Sequence, residues 1–172
     1  FMAEDIRLRS PNKLYPPNLY KGTIYTKGGN NKCLYVGMQD QYYTFTMFDV
    51  VGLWLTKHLI GEISLPDHEA MDKTWRPWVL RNQQLKDCHQ EIDFQTDFVM
   101  DIVKDCGKDF PYNLDVGDIF HAWEHHKDED VLTYRDQSFP SKFTGTPSPI
   151  HMRSFMEALD DTMETFMSKI KK

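Results

Sequence analysis

The sequence predicts an α/β fold in which a β-hairpin and one buried helix are followed by a mainly helical extension. Three observations carry this. Short β-branched and aromatic runs at residues 18–26 and 32–37 flank the turn-forming Gly28-Gly29-Asn30-Asn31. Residues 44–60 are apolar on nearly every side and end in Lys57, His58 and Gly61, the charges and residue type that stop a helix. From Pro66 onward, apolar residues recur at helical spacing.

Taken in order, Tyr15-Pro16-Pro17 cannot donate to a sheet at either proline and reads as an extended entry loop to the hairpin. The helix over 44–60 must be covered on all sides. A hairpin and one helix within sixty residues cannot do so, so this part is expected to pack against something larger. Asp67 is a candidate N-cap for a helix through Glu69, Ala70 and Met71, and Pro77 is expected to kink or end that helix. Phe94, Phe98, Ile102 and Val103 form a stripe that stops at Gly107, and Val116, Ile119, Phe120 and Trp123 form a second. A last amphipathic helix follows Pro149, with Phe155, Met156, Leu159, Met163, Phe166, Met167 and Ile170 on one face and Lys169, Lys171 and Lys172 at its end. Texture changes near Pro66, giving expected parts 1–65 and 66–172.

The 172 residues suffice for about one domain. Twenty Lys and Arg against 26 Asp and Glu leave a net charge of −6, which argues against binding nucleic acid or an anionic membrane surface. With 40% hydrophobic and 13% aromatic residues, the chain is too rich in core-forming side chains to be disordered. Its longest apolar run, Val50-Val51-Gly52-Leu53-Trp54-Leu55, is far short of the ~20 residues that span a bilayer. Cys33, Cys88 and Cys106 are odd in number and widely spaced, which fits a reducing cytoplasm better than a disulfide framework. The opening Phe1-Met2-Ala3-Glu4-Asp5 carries no signal pattern and reads like a chain entered in its middle.

Strand, Gly37, polar loop and a buried helix from Thr44 form a unit whose free helix N–H groups can receive a ligand oxygen, although ordinary packing units share the pattern. His121 and His125 stand at i, i+4, the spacing of a two-imidazole metal site. Glu124 does not share their face and no second cluster supplies ligands, so solvated helix-end histidines are the better reading. In Tyr134-Arg135-Asp136, an arginine beside a carboxylate is a fork for phosphate or ribose oxygens, or a surface ion pair. No GxGxxG, Walker or GxSxG motif occurs.

The stretches Leu14-Tyr15-Pro16-Pro17-Asn18-Leu19-Tyr20-Lys21-Gly22 and Leu34-Tyr35-Val36-Gly37-Met38-Gln39-Asp40-Gln41-Tyr42-Tyr43-Thr44-Phe45-Thr46-Met47-Phe48-Asp49 resemble the carboxyl-terminal portion of bacterial flavin-containing monooxygenases of the trimethylamine monooxygenase type. The likeness continues through Trp123-Glu124-His125-His126-Lys127, Thr133-Tyr134-Arg135-Asp136, Thr144-Gly145-Thr146 and Ala158-Leu159-Asp160-Asp161, and is weakest over 67–118. It implies the carboxyl-terminal portion of a flavoprotein with two dinucleotide-binding domains. Residues 1–65 would complete the FAD-binding domain, and 66–172 would be a helical extension packed on it. The GxGxxG loops for FAD and NADP would lie in an upstream portion of the same enzyme.

By the same resemblance, the enzyme uses NADPH, FAD and oxygen to oxygenate a small amine or sulfide through a C4a-hydroperoxyflavin, as in trimethylamine to its N-oxide. Gln41 and Thr44 would contact the flavin, Arg135 would reach NADP, and Tyr42 and Trp123 would be aromatic walls of the substrate site. Tyr42 stands where relatives usually have tryptophan. Aromatic walls suit amines, because ring faces attract cationic or methylated nitrogen. No residue is implied as an acid–base catalyst or metal ligand, and a homo-oligomer is expected. The rival expectation is a non-catalytic module that binds a partner or self-associates. The 172 residues alone are expected to be inactive and to bind FAD weakly, because one helix terminus does not replace a glycine loop. Flavin fluorescence on titration checks this, and tight stoichiometric quenching would refute it.

Overall fold

Residues 18–26, expected as one strand, fold back on themselves. Leu19–Tyr20 (β1) pairs antiparallel with Ile24–Tyr25 (β2), Leu19 opposite Tyr25 and Tyr20 opposite Ile24. The turn between them is the cause. Lys21 and Gly22 both have positive φ, 50° and 67°, the pattern of a tight type I′ turn, and Thr23 N donates to Tyr20 O at 3.0 Å. A Cβ at Gly22 would lie 2.8 Å from the Phe98 ring, so both conformation and space require glycine. Among the described residues, the hairpin expected between 18–26 and 32–37 shows one antiparallel bridge, Ile24 to Leu34, with Tyr35 N donating to Thr23 O at 2.9 Å. Its expected turn at Gly28-Gly29-Asn30-Asn31 lies outside the described residues, as does the last helix expected after Pro149. The computed structural model describes residues 14–27, 33–107, 116–134 and 140.

Among the described residues four helices follow: Thr44–Leu59 (α1), His68–Gln84 (α2), Cys88–Cys106 (α3) and Val116–Glu129 (α4). In α1, Met47, Val50, Val51, Trp54 and Leu55 are buried, an i, i+3, i+4 stripe that packs on α3. As the sequence implied, these residues do not cover the helix on all sides. Phe45 is 80% exposed and Leu59 70%, because α3 covers only one face of the helix.

Asp67 caps α2 as expected, its carboxylate accepting from Ala70 N at 2.8 Å. Pro77 does not end the helix. Met71 before it and Val79 after it are both buried, so packing on either side carries the helix past the missing N–H, while Pro77 itself is exposed. Asp87 caps α3 by accepting from Gln90 N at 2.9 Å, and Gly107, at φ 64°, follows its last turn.

The core forms where the entry loop meets α2 and α3. Tyr15 stacks on Trp78 with ring centroids 5.9 Å apart, and both rings meet Phe98 edge-on at 5.4 and 5.6 Å. The Tyr15 hydroxyl donates to Leu19 O at 2.8 Å and accepts from Gly22 N at 3.3 Å. Burial pushes its pKa far above that of an ordinary tyrosine. Lys21 reaches the last turns of α3, its Nζ 2.9 Å from Asp101 Oδ2, 3.0 Å from Asp105 Oδ2 and 3.0 Å from the Asp101 carbonyl. Burial opposes its charge, but the two carboxylates outweigh burial and raise its pKa. A cation there also complements the helix dipole.

The chain forms two compact units, residues 1–117 and 118–172. The change of texture near Pro66 falls inside the first, where α2 packs on β1 and α3 packs on α1.

Asp72 of α2 gathers Lys27 Nζ at 2.7 Å, and Arg76 Nη2, Trp75 Nε1 and Thr26 Oγ1 at 3.0 Å each. The Lys27 contact foremost, then the others, holds its carboxyl far below the usual range. A depressed folded-state pKa adds stability that is present above the unfolded value near 4 and is lost as pH falls below it. Asp72→Asn should therefore lower stability by about 1–2 kcal/mol at neutral pH. Denaturant midpoints of the two proteins should converge below about pH 4, and a gap unchanged in acid would exclude an electrostatic origin.

Candidate functional site

The loop that leads into α1 is fastened to one face of α3. Gln95, 1% exposed, accepts from Tyr42 N at 2.7 Å through Oε1 and donates from Nε2 to Asp40 O at 2.7 Å. Four residues away on the same face, Glu91 Oε2 accepts from the Tyr42 hydroxyl at 3.3 Å. Thr96 Oγ1 bonds the hydroxyl of buried Tyr43 and donates to Ile92 O at 2.8 Å. Residues 40–43 thus have their course set by three side chains of a single helix.

This anchoring presents the start of α1. Tyr43 at the N-cap makes no side-chain capping bond, and the first turn holds no acidic residue. Beside it lies a cavity of about 230 Å³ lined by Leu14, Asp40, Gln41, Tyr42 and Glu91. Gln41 Oε1 is buried without a hydrogen-bond partner, an arrangement that costs free energy unless a donor arrives.

Of the residues singled out in the sequence, Gln41 and Tyr42 share this cavity, and Thr44 opens α1. Nothing is described of the Thr44 side chain. Trp123 belongs to the second unit, where it meets Tyr134 edge-on with centroids 5.3 Å apart and lies under Lys127 Nζ at 5.3 Å. Beside it, buried Glu124 accepts from Lys127 at 3.1 and 3.2 Å. Asp130 shapes the turn that follows, accepting from Leu132 N at 3.0 Å and Thr133 N at 3.2 Å. The Thr133 hydroxyl first, then these two amides, lowers its pKa. Arg135 lies outside the described residues. His125 Nε2 is 3.3 Å from Glu129 Oε1, and among the described residues no three His, Cys, Asp or Glu side chains converge on a metal position.

Reading the sequence missed Glu91 and Gln95. The signal for Gln95 was present: an amide between Ile92 and Val99 interrupts the buried stripe of α3, and a polar group there requires partners. Nothing in the sequence marks Glu91.

No family model matches the chain. Its relatives are monooxygenases. In particular, the chain is a homologue of part of trimethylamine monooxygenase: the protein of that name from Pelagibacter ubique (strain HTCC1002) is 40% identical over 98% of the chain, and that from Methylocella silvestris is 37% identical over 98%. A crystal structure of Tmm from Pelagibacter sp. strain HTCC7211 shares 39% identity and superposes with a TM-score of 0.81 over 96% of the chain. The chain spans 38% of the length of the Pelagibacter ubique relative and 37% of the solved Tmm chain. No helix among the described residues is long and apolar enough to cross a membrane.

Replacing Gln95 by leucine would leave the Tyr42 amide and the Asp40 carbonyl without their partner in a buried setting. The expected cost is about 2–4 kcal/mol. Chemical denaturation checks this, and a loss below about 0.5 kcal/mol would mean that the loop is held by other contacts.

Proposed function

We propose that this chain forms part of an FAD- and NADPH-dependent monooxygenase that oxygenates soft nitrogen or sulfur nucleophiles, trimethylamine among them. The single observation that carries the reading is the 40% identity to a trimethylamine monooxygenase across 98% of the chain. When bound, FAD and NADPH supply the redox and oxygen-activating chemistry that no side chain carries. The residues present fit such a group. Gln41 Oε1 is a buried acceptor without a donor, suited to a ring N–H, and the α1 start beside it lacks a side-chain cap. Gln41 and Thr44 would hold the flavin at this helix start, whose positive end favours the charge that accumulates on a reduced ring. Arg135 would bind NADP oxygens.

Tyr42 and Trp123 would be walls for the incoming nucleophile, exclude water and orient the lone pair. On this reading residues 1–65 complete an FAD-binding domain begun upstream, and 66–172 pack on it. Apolar residues left exposed support that role. Val36, Met38, Phe45 and Phe48 are all exposed, and Phe48 lies against Gly37, so the side of α1 turned from α3 offers an apolar surface to the rest of such a protein.

In the full-length enzyme, Tyr42→Ala should slow anaerobic flavin bleaching by NADPH far less than it slows product formation. With amine and oxygen present it should lose coupling, releasing hydrogen peroxide as substrate is held poorly. Loss of a desolvated ring wall is about 1–2 kcal/mol, roughly tenfold in amine discrimination. Stopped-flow reduction that slows as much as product formation would move Tyr42 to the flavin or nicotinamide contacts. Arg135→Ala should raise the KM for NADPH at least tenfold more than that for the amine, because the fork contributes ground-state binding. Steady-state kinetics with unchanged NADPH dependence would return Arg135 to a surface ion pair.

A further inference from the structure

Among the described lining residues, Glu91 alone comes from α3. Glu91 lines the same space as Tyr42, and its carboxylate accepts the Tyr42 hydroxyl at 3.3 Å. The other described lining residues are Leu14, Asp40 and Gln41. Among the described residues the lining thus draws on two acidic residues, Asp40 and Glu91, and an aromatic one, Tyr42, with no lysine or arginine. Such a space favours a small cation over a neutral molecule of equal size, because charge attraction and the ring face act in the same sense.

We propose that Glu91 is a specificity-determining residue that favours amines over neutral sulfides: its carboxylate attracts the ammonium form and accepts its proton, which frees the nitrogen lone pair that reacts. The inference rests on the reading that Tyr42 meets the substrate. The hydroxyl contact fixes where the ring stands, and the carboxylate gives the cavity its preference for positive charge. Placement on a capped helix keeps both functions in register, since the Asp87 cap holds the turn that carries Glu91 and Glu91 N donates to Asp87 O at 3.1 Å. A sulfide carries no charge for the carboxylate to recognise, so the two functions separate by substrate.

The test uses the full-length protein with trimethylamine and dimethyl sulfide as substrates and tetramethylammonium as a competing probe. That probe has a permanent charge and neither a proton nor a lone pair. Glu91→Gln keeps an oxygen to accept the Tyr42 hydroxyl and removes the charge. It should raise the tetramethylammonium inhibition constant about fivefold. The ratio of amine to sulfide kcat/KM should fall by a similar factor, mostly through the amine KM. Glu91→Ala should add a loss with both substrates, because the ring is then unsupported. Flavin content and thermal midpoint establish that each variant is folded. If Glu91→Gln affects amine and sulfide equally, or neither, and leaves tetramethylammonium inhibition unchanged, Glu91 is no selector and the proposal is overturned. If Tyr42→Ala also leaves both substrates and the probe unaffected, the cavity is not the substrate site and the underlying reading falls with it. A strong Tyr42→Ala effect beside an unselective Glu91→Gln removes the Glu91 proposal alone.

Discussion

A single buried carboxamide organises the functional end of this molecule. Gln95 offers one acceptor and one donor, and each is taken by the main chain of the loop before α1. Short, paired and shielded from water, such bonds are costly to break, because no solvent replaces them. They convert an irregular stretch, 40–43, into a shaped wall without any strand or helix of its own. The two flanking contacts, Glu91 to the Tyr42 hydroxyl and Thr96 to Tyr43, then fix side chains on a backbone already held.

The opposite wall depends on the aromatic core. Leu14 lines the cavity and its neighbour Tyr15 is buried among Trp78, Phe94 and Phe98, so that wall is one peptide bond from the aromatic cluster. Tyr15 also ties the β1–β2 turn through its hydroxyl, and Lys21 in that turn locks onto the end of α3. Loop, entry segment and turn thus all take their positions from α3. Glycine at position 22 is the counterpart of this crowding, since Phe98 and Gln39 leave it no room for a side chain.

Much of the helical framework was legible from local rules. Lys57, His58 and Gly61 close α1, Asp67 opens α2 and Gly107 follows α3, because caps and stop residues act over three or four positions and are written in consecutive letters. What escaped depends on distant partners. Positive φ at Lys21 is rare for lysine, and here its carboxylate partners lie 80 or more positions away. The passage of α2 through Pro77 depends on packing at Met71 and Val79 rather than on its own propensity. Gln41 and Tyr42 were readable as a site only through resemblance to a family, and their meeting in one cavity with Glu91 is a fact of three dimensions.

The reach of Lys21 to Asp101, across 80 residues of sequence, bears on how the chain is made. A ribosome delivers the chain from its amino end, at roughly 5–20 residues per second. The β1–β2 ribbon has two residues in each strand, too few to persist alone. Tyr20 meets Trp54 of α1 and β1 packs on α2, but Lys21 waits on the order of ten seconds before Asp101 and Asp105 of α3 emerge to receive it. During that interval the ribbon lacks the anchor that α3 supplies, and chaperones and neighbouring nascent chains compete for its apolar side chains. The contacts that give the finished molecule its precision thus make its synthesis dependent on timing.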